Sequence, residues 1–407
     1  FASPERAWRF SYTGTSRGTF GWTMRMRVEA PPSTTLCERA WLALFEGRID
    51  TAWGAFHRHA RHDDHPPIGW LREVRAHYYD FLSPGDDGRR GGGYDLDAPH
   101  FKAFGVGLAT QHGYYPFWGD YIHPSRHEWQ AMRGDVGGRA SVSLNDLRRR
   151  CQAARDAGAR AGIYIHAAGF DSASPLWPAL ADCAERDEAT GAPSRFPWEG
   201  PDIAETARHM SIAAEPWADH LLQQVQWIME LIGPDAIVVD ETFAGLGYDG
   251  RGGGALDGPR SIHMIRWLKR LRALVRSFGE DRAVLSSDCG LAGFSMWCDA
   301  EGGDHAYPQL LGLPQYRAAP ARYRAALGDK PWLPCAWQCN RLWDEQLDLA
   351  RATGAAVGLS NGWIEYTGLT GLEALRRARM LGDLTMLRQA CAGSQVVSDR
   401  TGGDKHG

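Results

Sequence analysis

The sequence has no long apolar run, no excess of either charge and no paired-cysteine pattern. No stretch of its 407 residues approaches the ~20 consecutive apolar residues of a membrane helix, so no membrane-spanning helix is expected. Lys and Arg total 45 against 49 Asp and Glu, a net charge of -4. That balance offers no basic field to make nucleic acid the main partner. The eight cysteines, Cys37, Cys151, Cys183, Cys289, Cys298, Cys335, Cys339 and Cys391, are dispersed. The close pair Cys335/Cys339 lacks a second pair to complete a zinc site, and most read as buried thiols. There is no P-loop, no HExxH and no GxSxG elbow, which sets aside the best-marked phosphate, zinc-protease and serine-esterase chemistries. Gly245, Gly247 and Gly250 match the dinucleotide spacing formally, yet they run into further glycines and not into a helix. No motif asks for a cofactor or a bound metal.

Tryptophan and glycine are abundant instead. There are 17 Trp, and 48 of the 407 residues are Gly, about 12% against a typical ~7%. Tryptophan serves flat, partly wet binding surfaces, and a sugar ring with its apolar C–H face is the ligand that most often needs one. Many of the seventeen belong to the core, because Trp is usually well buried. With 43% hydrophobic and 23% charged residues the chain has the composition of a folded globular protein, long enough for one large domain or two smaller ones.

Residues 1–66 read as the end of a β-sandwich and a linker helix. Trp8, Phe10 and Tyr12 alternate with polar neighbours, as do Met24, Met26 and Val28. The helical stretch Thr51–Arg61 leads to His65-Pro66-Pro67; His57, His59, His62 and His65 scatter around it as a solvated face. The first residue is Phe1 and no signal-peptide pattern follows, as in a mature form or a fragment; localisation stays open. Residues 396–407 read as a disordered tail.

From 67 to 395, short apolar runs alternate with amphipathic helices. Candidate strands are 74–82, 104–110, 161–167, 236–242, 283–288, 294–299, 332–338 and 355–361. Several are continuous apolar runs, as parallel strands covered on both faces should be. Ser143 and Asp146 make a capping box before one helix. Pro216 suits the first turn of another, with a stripe of Leu221, Val225, Ile228 and Ile232, and Ile265, Leu268, Leu271 and Val275 repeat the pattern. The fold class is therefore α/β, a (β/α)8 TIM barrel preceded by a partial β-sandwich. Strands 283–288 and 294–299 are too close for a crossover helix, which leaves a doubly wound sheet as the alternative.

In a barrel, function gathers at the C-terminal ends of the strands. The polar residues there are Asp80, Gln111, His112, His166, Asp240, Glu241, Asp288, Asp299, Glu301, Gln338, and Asn361 with Glu365; Asp120 lies in the loop 111–123. The most informative segment is DAIVVDETF, 235–243, where an apolar strand ends in two adjacent carboxylates. Alternation sends Asp240 and Glu241 to opposite faces, one catalytic and the other structural. Asp288 ends the next strand. Two such carboxylates ~5 Å apart serve a retaining glycosidase, whereas a wider pair admits the water of an inverting one. Asp299 and Glu301 are rivals for the acid role. Trp118, Trp129, Trp297, Trp337 and Trp363, with Tyr114, Tyr115 and Tyr121, would line such a cleft, and Gln111, His112, Asp120 and His166 would hydrogen-bond a sugar.

These residues carry a resemblance. The IVVDETF strand follows a helix opened by Glu215-Pro216-Trp217. Trp41–Phe56 holds an aromatic strand, the turn Glu46-Gly47 and the step Ala52-Trp53. Together they resemble the barrel glycoside hydrolases of the α-galactosidase-like and dextranase-like families, in which a β-sandwich precedes the barrel. The resemblance implies a retaining enzyme for α-linked saccharides, with Asp240 as nucleophile and Asp288, or else Asp299 or Glu301, as acid/base. Glu241, Trp118, Trp297, Trp337 and Trp363 would contact substrate. Those families usually carry a longer sandwich. The alternatives are a metal-dependent barrel hydrolase using His112, His166 and Asp240, and a carbohydrate-binding barrel without catalysis.

Overall fold

The computed structural model describes residues 8–14, 20–26, 68–80, 94–131, 141–187, 190–196, 206–242, 260–287, 297–303, 324, 327–334, 343–360, 379 and 382–386. The expected helix Thr51–Arg61, the tail 396–407, and Asp288, Trp337 and Trp363 lie outside them.

β1 (Trp8–Gly14) and β2 (Phe20–Met26) pair antiparallel, Trp8 opposite Met26 and Gly14 opposite Phe20. A short helix α1 (Gly69–Glu73) leads into β3 (Ala76–Asp80), and β4 (Val106–Gln111) follows. β5 (Glu128–Gln130) and β6 (Ser141–Ser143) form a small antiparallel pair. β7 is Arg160–His166. β8 (Gly169–Asp171) and β9 (Ala207–His209) form a second small pair. β10 (Ala236–Asp240), β11 (Ala283–Ser286), β12 (Ala300–Glu301) and β13 (Val357–Ser360) complete the strands among the described residues.

Seven of these strands form one parallel sheet in the order β12-β11-β10-β7-β4-β3-β13. Strands are added in sequence order along it, and the last, β13, pairs with the first, β3. A doubly wound sheet would reverse its direction of growth midway. Three backbone hydrogen bonds continue the ladder beyond β12: Glu301 N to the Pro331 carbonyl at 2.9 Å, Leu333 N to Glu301 at 2.8 Å, and Ala356 N to Trp332 at 2.8 Å.

The helices follow from their sequence signals. In α2 (Leu144–Asp156) the Ser143 hydroxyl accepts from Asp146 N and the Asp146 carboxylate accepts from Ser143 N, the expected capping box. α3 (Glu215–Leu231) opens with Pro216 in its first turn and buries Leu221, Val225 and Ile228. α4 (Arg260–Ser277) buries Ile265, Leu268, Leu271 and Val275, and α5 (Trp343–Thr353) precedes β13. On the sheet, Ile237, Val238 and Val239 of β10 are buried, so the continuous apolar run is covered on both faces.

The sixth strand departs from expectation. Within 294–299, the described residues 297–299 are not strand; pairing begins at Ala300, opposite Leu285. The Asp299 carboxylate accepts the Val284 N–H at 2.9 Å, so it caps the start of the ladder and does not end it.

The inner face of the sheet is polar along one line. His77 on β3 bonds the Leu333 carbonyl through Nδ1 and the Thr110 hydroxyl of β4 through Nε2, each at 2.8 Å. Gly162 on β7 leaves room for Thr110, whose Oγ1 would lie 2.6 Å from a Cβ there.

Candidate active site

The C-terminal ends of β7, β10 and β11 meet at Asp240. In the register Asp240 stands beside His166, and Tyr164 beside Val238, so Tyr164 and Asp240 occupy the same face of neighbouring strands. The Tyr164 hydroxyl donates to Asp240 Oδ2 at 3.1 Å. The Glu241 N–H donates to Asp240 Oδ1 at 2.8 Å and lies 2.7 Å from Ser287 Oγ, just beyond β11. Both oxygens of Asp240 are therefore held, while the residue itself stays half-buried.

Glu241 does not follow the alternation expected of it. Its φ is 55°, and it is the sole non-glycine residue with positive φ among the described residues. That turn ends the strand and brings Glu241 Oε2 to 3.9 Å from His166 Nε2. Left-handed backbone at a Glu is strained, and such strain clusters at functional sites. His166 is buried, and its Nδ1 accepts the N–H groups of Ala168 and Gly169 at 3.0 and 2.8 Å. Those two bonds fix the tautomer: the ring proton sits on Nε2, on the side of Glu241. Trp118 packs on the His166 ring at 4.4 Å and Phe196 at 5.2 Å.

An aromatic layer lies beneath. Tyr121 Oη accepts the His166 N–H at 2.5 Å, Tyr114 Oη donates to the Tyr164 carbonyl at 2.9 Å, and Trp217 Nε1 donates to the Ala167 carbonyl at 2.9 Å. Burial, with the Asp240 charge next, pushes the Tyr164 phenol well above its ordinary range, so it stays a donor. Tyr114 and Tyr121 are raised by burial in the same way. Tyr114, Tyr115 and Tyr121 are thus buried in the loop that follows β4.

The other candidates divide by position. His112 follows β4 and lies against Tyr164, ring centroids 3.9 Å apart. Glu301 ends β12 beside Ser286 and accepts the Gly303 N–H at 2.9 Å. Four residues stand elsewhere. Gln111 points away from the inner face to α2, with Nε2 3.4 Å from the Leu147 carbonyl and 3.3 Å from Cys151 Sγ. Alternation explains it, since Thr110 takes the inner side. Asp120 is held by Arg126 at 3.1 and 3.2 Å and by Ser174 at 3.1 Å. Asp299, at the start of β12, is bound by Arg272 at 3.1 Å and Arg276 at 2.6 Å of α4. Trp297 lies under Lys269, whose Nζ is 4.1 Å from the ring centroid. Asp299 and Trp297 thus belong to the opposite end of the sheet or to its helix layer. Among the described residues no three His, Cys, Asp or Glu side chains are grouped to hold a metal ion, the set His112, His166 and Asp240 included.

Comparison with solved structures gives a likeness of fold. An α-galactosidase from Thermus thermophilus, in complex with stachyose, matches at TM-score 0.51 and 16% identity, over 90% of this chain and 71% of that one. An α-N-acetylgalactosaminidase from Bifidobacterium bifidum matches at TM-score 0.53 and 13% identity, over 83% and 56%. An α-amylase from Geobacillus thermoleovorans, complexed with acarbose, matches at 0.50 and 11%, over 79% of each chain. The chain shares their fold. Two further matched structures are covered over only 39% and 61% of their length. No protein-family model and no curated protein matches the chain.

Proposed function

We propose that the protein is a retaining glycoside hydrolase acting on α-linked oligo- or polysaccharides. The observation that carries this reading is the Asp240 carboxylate at the C-terminal end of β10, half-buried, with both oxygens hydrogen-bonded. It stands in a fold shared with three enzymes named for α-linked sugars. We take that fold to be a closed (β/α)8 barrel, on the support of the β13–β3 pairing and the three bonds around residues 331–333. The β1–β2 pair would belong to a preceding sandwich.

Asp240 would attack the anomeric carbon, forming a glycosyl ester as the C–O bond to the leaving group breaks. Asp288 would give its proton to the leaving oxygen and then take one from the water that hydrolyses the ester. His112, Trp118, His166, Glu241 and Glu301 would contact the sugar, joined by Trp337 and Trp363. Gln111, Asp120, Trp297 and Asp299 are left out of this set, because their partners lie in the helix layer, in an ion pair or at the other end of the sheet.

A panel of nitrophenyl α-glycosides supplies the substrate for the test. Asp240→Asn should abolish turnover while the thermal midpoint stays near that of the parent. Normal turnover in that variant would sink the assignment. Activity should also survive EDTA, and its loss would favour metal-dependent hydrolysis.

A further inference from the structure

We infer that Tyr164 is the positioning residue of the site, its hydroxyl holding the Asp240 carboxylate ionised and in a fixed plane. The inference rests on the nucleophile role proposed for Asp240. Nothing in the sequence marks Tyr164, which sits inside the apolar run of β7 as an ordinary core aromatic would.

The geometry sets it apart. Its hydroxyl lies 3.1 Å from Asp240 Oδ2, and the other oxygen is taken by the Glu241 N–H at 2.8 Å. A donor on either oxygen fixes the plane of the carboxylate about its terminal torsion. Hydrogen bonds to the charged form of an acid favour that form. A nucleophile needs this, and a general acid would be impaired by it. The phenol is raised by burial and by Asp240 itself, so its proton stays in place and it cannot compete as a base.

Tyr164 is in turn built into place. Its ring packs against His112 at 3.9 Å, stacks on Tyr115 at 6.1 Å and meets Tyr79 edge-on at 6.2 Å. Its carbonyl accepts from Tyr114 Oη. Among the described residues, the titratable groups beside Asp240 include Tyr164 and His166 on β7, Glu241 after β10, and Tyr121 from the loop after β4, with His112 behind Tyr164. Asp288, the proposed acid/base, lies outside the described residues. The Tyr164 hydroxyl is a side-chain donor to the Asp240 carboxylate.

The test is the pH profile of Tyr164→Phe on the glycoside hydrolysed by the parent. Loss of one hydrogen bond to a carboxylate should lower kcat roughly tenfold and move the acid limb of the kcat/KM profile up by about one pH unit, with KM little changed. A residue that merely packed the core would alter stability and leave the limb in place. An unmoved limb with normal kcat, alongside an inactive Asp240→Asn, overturns the inference and spares the nucleophile. An active Asp240→Asn overturns the nucleophile instead. If Tyr164→Phe fails to fold, 3-fluorotyrosine at 164 keeps the hydroxyl as a stronger donor and should move the limb downward; no movement there also overturns the inference.

Discussion

His77 is fully buried on the inner face, with both ring nitrogens engaged by Leu333 and Thr110. Burial pushes its pKa down to about 4, against ~6.5 for a free imidazole. On acidification the unfolded chain takes up a proton that the folded one refuses. Stability therefore rises with pH across this window and is lost as pH falls from about 6.5 to about 4. The shift corresponds to about 3 kcal/mol. Thermal midpoints at pH 7 and pH ~4.5 should differ less for His77→Gln than for the parent; equal losses in both would assign the acid sensitivity to other groups. At this scale position along a strand was more legible than orientation. Asp240 and His166 were readable because each ends an apolar run. Gln111 carries the same signal, yet it sits one residue out of phase and bonds α2. Tyr164 is in phase with His166, two residues on, but its polar atom hides within a core-like pattern. Glu241 was named, but its orientation was not foreseen, because a left-handed turn at a non-glycine residue has no sequence mark.

The strands themselves were legible wherever they are continuous apolar runs. β7 and β10 lie where their Val, Ile and Tyr residues put them, and the capping box before α2 forms as its spacing requires. β12 was displaced because Ala300–Glu301 is too short to leave a pattern, while the aromatic run before it looks more like a strand than the strand does. That short element is held by close approach. A Cβ on Gly303 would come within 2.3 Å of Ser287 Cβ and 2.6 Å of Ser287 Cα, so the end of β11 could not stay where it is. Ser287 Oγ meets the Glu241 N–H that also serves Asp240. Gly303→Ala should thus cost about 1–3 kcal/mol of stability, as overpacking does, and reduce turnover of the folded fraction as well. Denaturant unfolding paired with active-site titration separates the two effects. Full activity with parent-like stability would show that the backbones separate without consequence.

The sheet's two ends are built differently. At the C-terminal ends stand Asp240, Glu241 and His166; at the N-terminal ends two buried carboxylates are tied by arginines. Asp235, before β10, accepts from Ala161 N at 2.9 Å, Arg155 at 3.0 Å and Arg282 at 2.5 Å. Asp299, before β12, repeats the arrangement with Val284 N, Arg272 and Arg276. In each case a carboxylate fastens a neighbouring strand to arginines, one of them in the last turn of a helix packed beside it: Arg155 in α2 and Arg276 in α4. Such ends stabilise the fold, and stability and turnover should therefore separate along the sheet axis. Removing the Asp299 carboxylate strands two arginines and a strand N–H. Because the arginine side chains keep 17% and 23% of their exposure, part of their solvation survives, and the loss falls near the lower limit for a broken buried pair, about 3 kcal/mol. Asp299→Ala should lower the thermal midpoint by several degrees while kcat below the transition stays at the parent value. Asp240→Asn should do the reverse, because its half-buried carboxylate is replaced by an amide of the same shape. Measuring both variants side by side makes each the control for the other: a fall in kcat for Asp299→Ala at a temperature where it is folded would return that residue to the active site, and a large loss of stability for Asp240→Asn would make its carboxylate structural.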